Sequence, residues 1–187
     1  MIDNYDFPEG SYKSVIHLIN FMNYKIGCEV GVDRGLSLLN LAQRCSSIEK
    51  IYAIDNWKPH TDYKYDENGQ VYDIKYIELS KTIFEHNLKY SGVNNKVEVI
   101  EKDSEIASKD FENGYFDFIC LDCYSNSEEI LDNIKYWWPK VKDGGILIGH
   151  DFQTEMVRNA VAGSYNDGLL KTARGFSEYD NVWITKK

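Results

Sequence analysis

Apolar and polar positions follow two rhythms along this chain. Residues 11–23 put Val15, Ile19 and Met22 on one helical face, with Leu18 beside them. The next run, KIGCEVG at 25–31, has strand length and predicts a strand ending at Gly31. Helical spacing returns over 34–45, with Leu38, Leu41, Ala42 and Cys45 on one side. IYAIDNW at 51–57 predicts a second strand that ends near Asp55. Residues 58–72 are polar and tyrosine-rich and read as a loop, either a lid over a ligand or simply a mobile connection. A helix follows from Asp73 to Tyr90, with Ile74, Ile77, Phe84 and Leu88 roughly on one face. KVEVIEKD at 96–103 and FDFICLD at 116–122 predict the third and fourth strands. Residues 127–138 form a helix that turns Ile130, Ile134, Trp137 and Trp138 inward and stops at Pro139. GGILIGHD at 144–151 predicts a fifth strand, opened by a Gly144–Gly145 turn. A short helix from Thr154 to about Ala162 leads to two last runs, 169–176 and 181–187, close enough to pair as a hairpin.

Strand and helix alternate, and no repeat, low-complexity tract or linker interrupts them. The 187 residues therefore read as one α/β domain spanning 1–187. Its expected core is a single, mostly parallel seven-stranded sheet with a C-terminal antiparallel pair and helices on both faces. Such sheets bind ligands beyond the carboxyl ends of their strands, where the strand order switches. The residues that carry chemistry here all fall at those predicted ends.

The first is a turn. Glu29 precedes Gly31-x-x-x-Gly35, at the end of a strand, where glycine weakens pairing and so marks a sharp bend or a close approach to the backbone. The dinucleotide fingerprint G-x-G-x-x-G lacks its middle glycine here, and Glu29 would repel a pyrophosphate. An acid at that place suits a ligand that carries positive charge. S-adenosylmethionine, with an ammonium, a sulfonium and no phosphate, fits. Asp55 ends the second strand, where a carboxylate would meet ribose hydroxyls.

Charge sharpens this picture. The net charge of -9 argues against a nucleic-acid partner, since that affinity depends on lysine and arginine. The start, MIDNYDFPEG, is acidic and lacks the apolar core of a signal peptide. No apolar run approaches the roughly 18 residues that span a bilayer. The expected location is the cytoplasm, away from membranes. Cys120 and Cys123 form a C-x-x-C, but it runs from a strand into a loop, where a redox pair would open a helix; buried or half-buried thiols are the expected reading for these two and for Cys28 and Cys45.

CEVGVDRG at 28–35 resembles motif I of the class I S-adenosylmethionine-dependent methyltransferases, acid-x-Gly-x-x-x-Gly. IYAIDNW, FDFICLD and WWPKVKDGGILIGHDF resemble the branch of small-molecule and sugar O-methyltransferases. There the second strand often ends in Ile-Asp-x-Trp, and the fifth closes on His-Asp. The likeness covers roughly residues 25–152, with four motifs in order. It implies a Rossmann-like methyltransferase fold with S-adenosylmethionine as cofactor. Carried over by residue, Glu29 and Gly31 line its methionine end, Gly35 belongs to the same cofactor-binding turn, and Asp55 holds the ribose, with Asn56 and Trp57 adjacent. Asp103 and Ser104 would meet the adenine, though Asp-Ser before a helix is equally an ordinary N-cap. Asp122, also counted among the cofactor-binding residues, would face the transferred methyl group or the substrate.

Asp122, His150 and Asp151 are the candidates for acceptor activation. His150 and Asp122 are the expected catalytic pair, and all three side chains could hold a divalent cation such as magnesium or manganese. Relatives often place a histidine where this chain has Ser125, which leaves the identity of the base open. Trp137 and Trp138 read as core and interface aromatics, and His17 and His86 as ordinary surface residues; His60 lies in the 58–72 loop, within possible reach of a substrate. The expected substrate is a small-molecule hydroxyl, sugars and glycans included. Amino-group methylation and a non-catalytic cofactor-binding or assembly protein with a decayed substrate site are the alternatives. A nicotinamide-dependent reductase is disfavoured by the glycine spacing. The oligomeric state stays open, a homodimer included.

Overall fold

A computed structural model describes residues 12–58, 74–123, 126–170, 174–177 and 181–187. The elements run α1 (Lys13–Met22), β1 (Ile26–Val30), α2 (Leu36–Arg44), β2 (Lys50–Asp55), α3 (Ile74–Tyr90), β3 (Val97–Glu101), α4 (Ser104–Ser108), β4 (Phe116–Leu121), α5 (Ser127–Trp137), β5 (Val141–Gly149), α6 (Glu155–Asn166), β6 (Arg174–Ser177) and β7 (Val182–Lys186). Together the strands make one seven-stranded sheet, in the order β3-β2-β1-β4-β5-β7-β6. The first five pair in parallel, and β7 pairs antiparallel with both β5 and β6. The expected fold class is observed.

Central strands are nearly continuous apolar runs because both of their faces are covered. One layer packs Val15 and Ile19 of α1, Leu38 and Leu41 of α2 and Phe84 of α3 against Ile51, Ala53, Phe118 and Cys120. The other packs Ala107 of α4, Ile130, Ile134 and Trp137 of α5 and Val157 of α6 against Cys28, Ile54, Ile119 and Leu147. β3 is the outer strand on one side, and its charged side chains Glu98 and Glu101 pair with Lys50 and Lys81. Such charges discourage edge-to-edge association.

Four expectations change. The strand expected to open at Gly144–Gly145 already begins at Val141. Its register slips between Phe116↔Val141 and Phe118↔Ile146, and Gly144 sits in that irregularity with φ 82; its N–H donates to Lys187 O at 2.9 Å, and Lys187 N–H donates to Gly145 O at 2.9 Å. The glycines mark a bulge inside the strand rather than its start. The last helix runs on to Asn166, because Val157, Ala160, Val161 and Ser164 continue one buried face past Ala162. Pro139 does not stop the chain's winding at once: Trp138–Lys140 form a single 3₁₀ turn. A short helix, α4, follows Asp103 with too few residues to show a period.

Trp137 is fully buried and Trp138 partly so. Cys28, Cys45 and Cys120 are buried, Cys123 is half-buried, and all four are free thiols. Among the described residues no helix is long and apolar enough to cross a membrane. His60 and the rest of the stretch from 59 to 73 lie outside the described residues, as do Tyr124 and Ser125.

The sheet's tightest internal packing is at Gly27, where an added Cβ would lie 2.0 Å from the Phe118 ring. Gly27→Ala should therefore destabilise the protein by roughly 1–3 kcal/mol, as overpacking does. Chemical denaturation checks this, and Gly27→Ala with Phe118→Leu should recover part of the loss. Equal stability of wild type and Gly27→Ala would show that β1 and β4 are not in this register.

Candidate active site

Strand order runs outward from β1 through β2 to β3 on one side, and from β4 to β5 on the other. The switch lies between β1 and β4, and sheets of this kind bind ligands in a crevice outside the carboxyl ends of the strands at that point. Pairing continues just past both strands: Asp122 N–H donates to Val30 O at 2.8 Å, and Gly31 N–H to Ile54 O at 2.9 Å. Gly31 then turns with φ 88. A Cβ there would sit 2.2 Å from the carbonyl oxygen of Asp122, so the close approach that requires glycine comes from β4. A valine at 31 would disturb the fold itself, not only a ligand's approach.

The turn from Gly31 to Gly35 is fastened from two sides. One Asp55 oxygen accepts from Val32 N–H at 2.7 Å and Asp33 N–H at 2.9 Å, and the other accepts from Trp57 N–H at 2.8 Å. Of about four acceptor positions on a carboxylate, one is left for a ligand hydroxyl. From α3, Ser80 Oγ donates to Asp33 Oδ1 at 2.5 Å and Asn87 Nδ2 to Arg34 O at 3.1 Å. Gly35, at φ 78, lets Phe84 press on the turn: a Cβ would meet its ring at 2.4 Å. The Trp57 ring stacks on Phe84 at 5.3 Å, and its Nε1–H donates to Asp33 O at 2.8 Å. Trp57 is thus tied to the turn through Phe84 and Asp33.

Beyond β2 and β3, Asn56 Nδ2 donates to Asp103 Oδ1 at 2.6 Å. Asp103 precedes α4, yet its side chain makes no capping bond. Ser104 is held deeper. Its hydroxyl bonds Asn133 Oδ1 and accepts from Trp137 Nε1 at 2.8 Å, while Asn133 Nδ2 donates to Cys123 O at 2.8 Å. This chain of bonds ties the segment after β4, which carries Asp122, to α4 and α5. Ser104 therefore helps to position that segment.

The acceptor end is built by β4 and β5. β5 ends at Gly149, where a Cβ would strike the Trp183 ring at 2.2 Å. Asp151 then turns into the left-handed region with φ 56, and this bend lets two consecutive residues point the same way. One ligand atom from each of Asp122, His150 and Asp151 lies within 4.8 Å of the others. His150 Nδ1 and Asp151 Oδ1 are 3.3 Å apart. Burial opposes a charge on His150, but its Asp151 hydrogen bond and the fields of Asp122, Asp151 and Glu29 outweigh it and hold the imidazole pKa above its usual value. Asp122 touches solvent, yet protein crowds it enough that burial raises its carboxyl; His150 opposes that rise, while Asp151, Asp33 and Asp55 add to it. Water contact screens this shift, so its direction is what bears on chemistry.

Glu29 is 1% exposed. One oxygen accepts from Ser37 Oγ, and the other, Oε2, has no partner among the described residues. Burial pushes this carboxyl up to about 8, with the Ser37 bond opposing and Asp122 adding. A buried acid with an unmatched oxygen has room for a hydrogen-bond donor, and a cationic one matches it best. The sequence reading missed Ser37, Asn133 and Tyr12. Ser37 had one usable signal, a hydroxyl in the first turn of the helix after the glycines; Asn133 and Tyr12 had none, since only tertiary packing brings them in.

A separate groove of about 650 Å³ lies over β2 and β3 on the α4 side, lined by Tyr52, Ile100, Glu101, Lys102, Phe111 and Tyr115. Of the acids at the strand ends it holds Glu101, and none of Glu29, Asp55, Asp122 and Asp151.

The model of a family described as a methyltransferase domain matches residues 28–152. Among solved structures, the SAH-bound Podospora anserina methyltransferase PaMTH1 is 17% identical, with 92% of this chain and 76% of that one covered and a TM-score of 0.66. The Bacillus cereus O-methyltransferase in complex with SAH is 15% identical, covering 93% and 79%, with a TM-score of 0.63. TomG from Streptomyces achromogenes, an O-methyltransferase of tomaymycin synthesis in complex with SAM, is 11% identical, covering 93% and 78%, with a TM-score of 0.65. At these identities the likeness establishes the fold. None of the curated proteins matches.

Glu29 gives stability a pH dependence. Its carboxyl rises from the ordinary 4.5 to about 8 on folding, so the folded state keeps a proton that the unfolded state releases. The associated stability is complete below pH 4.5 and is lost as pH rises to about 8. Urea denaturation at pH 5, 7 and 9 should show this decline, and Glu29→Gln should flatten it by roughly 2–5 kcal/mol at the alkaline end. Parallel profiles for the two proteins would remove the buried, protonated carboxyl.

Proposed function

The chain belongs to the methyltransferase-domain family, and from that premise we propose that it transfers a methyl group from S-adenosylmethionine to the hydroxyl of a small molecule, sugars and glycans included. The observation that carries this reading is the convergence of Asp122, His150 and Asp151 beside the Glu29 pocket. An acid for a cation and a base for a hydroxyl stand at neighbouring strand ends of one crevice. The whole chain acts as one domain in this reading, with the cytoplasm as its place of action.

When bound, the cofactor supplies a methyl group already activated on a sulfonium. The chain's tasks are then alignment, exclusion of water and handling of the acceptor's proton. Glu29 receives the ammonium at Oε2. Asp55 offers its remaining acceptor position to the ribose while it keeps the turn closed. Asn56 and Asp103 sit at the adenine end. Asp122 orients the acceptor hydroxyl, and His150, held by Asp151 at Nδ1, takes its proton at Nε2. Two carboxylates and an imidazole also suit a magnesium or manganese ion, whose field would lower the acceptor's pKa.

Two experiments test the reading. Calorimetry of S-adenosylmethionine binding near pH 7 in buffers of different ionisation enthalpy should reveal release of close to one proton. The reason is that Glu29, protonated below about pH 8, must ionise against the ammonium. Binding with no buffer dependence would take Glu29 out of the cofactor site, and failure to bind would end the cofactor assignment. Turnover over a panel of sugars and phenols, with and without chelator, addresses the acceptor end. Loss on chelation with recovery in magnesium or manganese assigns the ion to Asp122, His150 and Asp151. Indifference to chelation assigns the base to His150, with activity falling as pH drops through an imidazole pKa held above 6.5. Cofactor binding with no turnover on any acceptor would leave a binding protein.

A further inference from the structure

Glu29 cannot be touched from the crevice as the chain stands. It is 1% exposed, and its unbonded Oε2 is sealed from solvent. A cation that is to meet this oxygen needs some neighbouring group to move. The groups around it include Ser37, inside α2, and Cys120, inside β4, both fixed by regular hydrogen bonding. Tyr12 differs. It stands just before α1, with φ 64, and caps the helix with no side-chain hydrogen bond. Left-handed backbone is unfavourable for an aromatic residue, and a helix end frays more readily than a strand.

The Tyr12 ring reaches both halves of the site. It lies parallel to the His150 imidazole, with centroids 5.5 Å apart and planes within 5°. Its hydroxyl is within hydrogen-bonding reach of Ser37, whose own hydroxyl donates to Glu29. Glu29, Asp122 and Cys120 are its charged or ionisable neighbours. One side chain thus stacks on the imidazole meant for the acceptor and neighbours the acid meant for the cofactor.

We propose that Tyr12 is the gate of this site: in the ligand-free chain its ring closes the Glu29 pocket, and it withdraws when the cationic end of S-adenosylmethionine enters. This rests on the cofactor reading given above. Entry breaks the Tyr12–Ser37 bond and the stack on His150, and it gives Glu29 Oε2 the partner it lacks. Entry is therefore coupled to uncovering of the imidazole, so the acceptor side opens only as the methyl donor arrives.

Binding kinetics of the full chain test the gate. Stopped-flow with S-adenosylmethionine and with S-adenosylhomocysteine should show faster association in Tyr12→Phe, by roughly threefold to tenfold, because one hydrogen bond to Ser37 is gone. Tyr12→Ala, which also removes the ring, should associate faster by about tenfold or more and bind more tightly. Slower association and weaker binding in both variants would overturn the gate and make Tyr12 a fixed wall that grips the cofactor. A second measurement needs no ligand. Alkylation of Cys120 by iodoacetamide, located by peptide mass spectrometry, should accelerate in Tyr12→Ala while Cys28 and Cys45 stay protected. Unchanged labelling of Cys120 refutes the gate even where the wild type binds no cofactor, an outcome that would separately refute the cofactor reading. Should Tyr12→Ala fail to fold, Tyr12→Phe carries the binding measurement and Tyr12→Leu, which also removes the ring, the labelling.

Discussion

At the switch between β1 and β4 the two backbones come so close that no side chain fits between them. Gly31 sits against the carbonyl of Asp122, and that contact fixes everything around it. It brings the end of β1, with Glu29, alongside the end of β4, with Asp122. It forces the turn that Asp55 then fastens through the Val32 and Asp33 amides. It also sets where α2 begins, and hence where Ser37 meets Glu29. Remove the close approach and the acids no longer share a crevice.

Crowding of acids is the second consequence. Asp122 helps raise the Glu29 carboxyl, Asp151, Asp33 and Asp55 help raise that of Asp122, and His150 opposes both. A site of this kind is unfavourable when empty, since several carboxylates repel one another in a partly desolvated space. The chain meets that strain in three ways. Glu29 holds a proton, Asp55 accepts three backbone amides, and His150 is held toward its charged form by Asp151 and Asp122. Each device leaves a place that a cationic ligand or a metal ion relieves.

Much of this was legible in the sequence, for reasons that differ by residue. Strand–helix alternation exposed the sheet because buried parallel strands are apolar on both faces. Glu29, Gly31, Asp55, Asp122 and His150 were findable because they end strands, and strand ends are where such sheets bind. Trp57 and Ser104 were findable in the same way, but sequence position does not encode their partners, Phe84 for Trp57 and Asn133 and Trp137 for Ser104. The bulge at Gly144 was read as a turn, since a glycine pair looks alike in both. Tyr12 carries no local signal at all. It reaches the site only because α1 packs beside α2 on the same face of the sheet, a long-range fact.

The two glycines of the turn have a consequence for descent. Gly31 is needed by the Asp122 carbonyl and Gly35 by the Phe84 ring, so packing alone would preserve both in a lineage that had ceased to bind anything. Glu29 stands in the opposite position. It is a desolvated acid with an unmatched oxygen, a burden to the fold that a neutral replacement would relieve. Drift would erase it early. Among the residues of the motif, the acid rather than the glycines is therefore the one whose persistence records continued selection for a ligand.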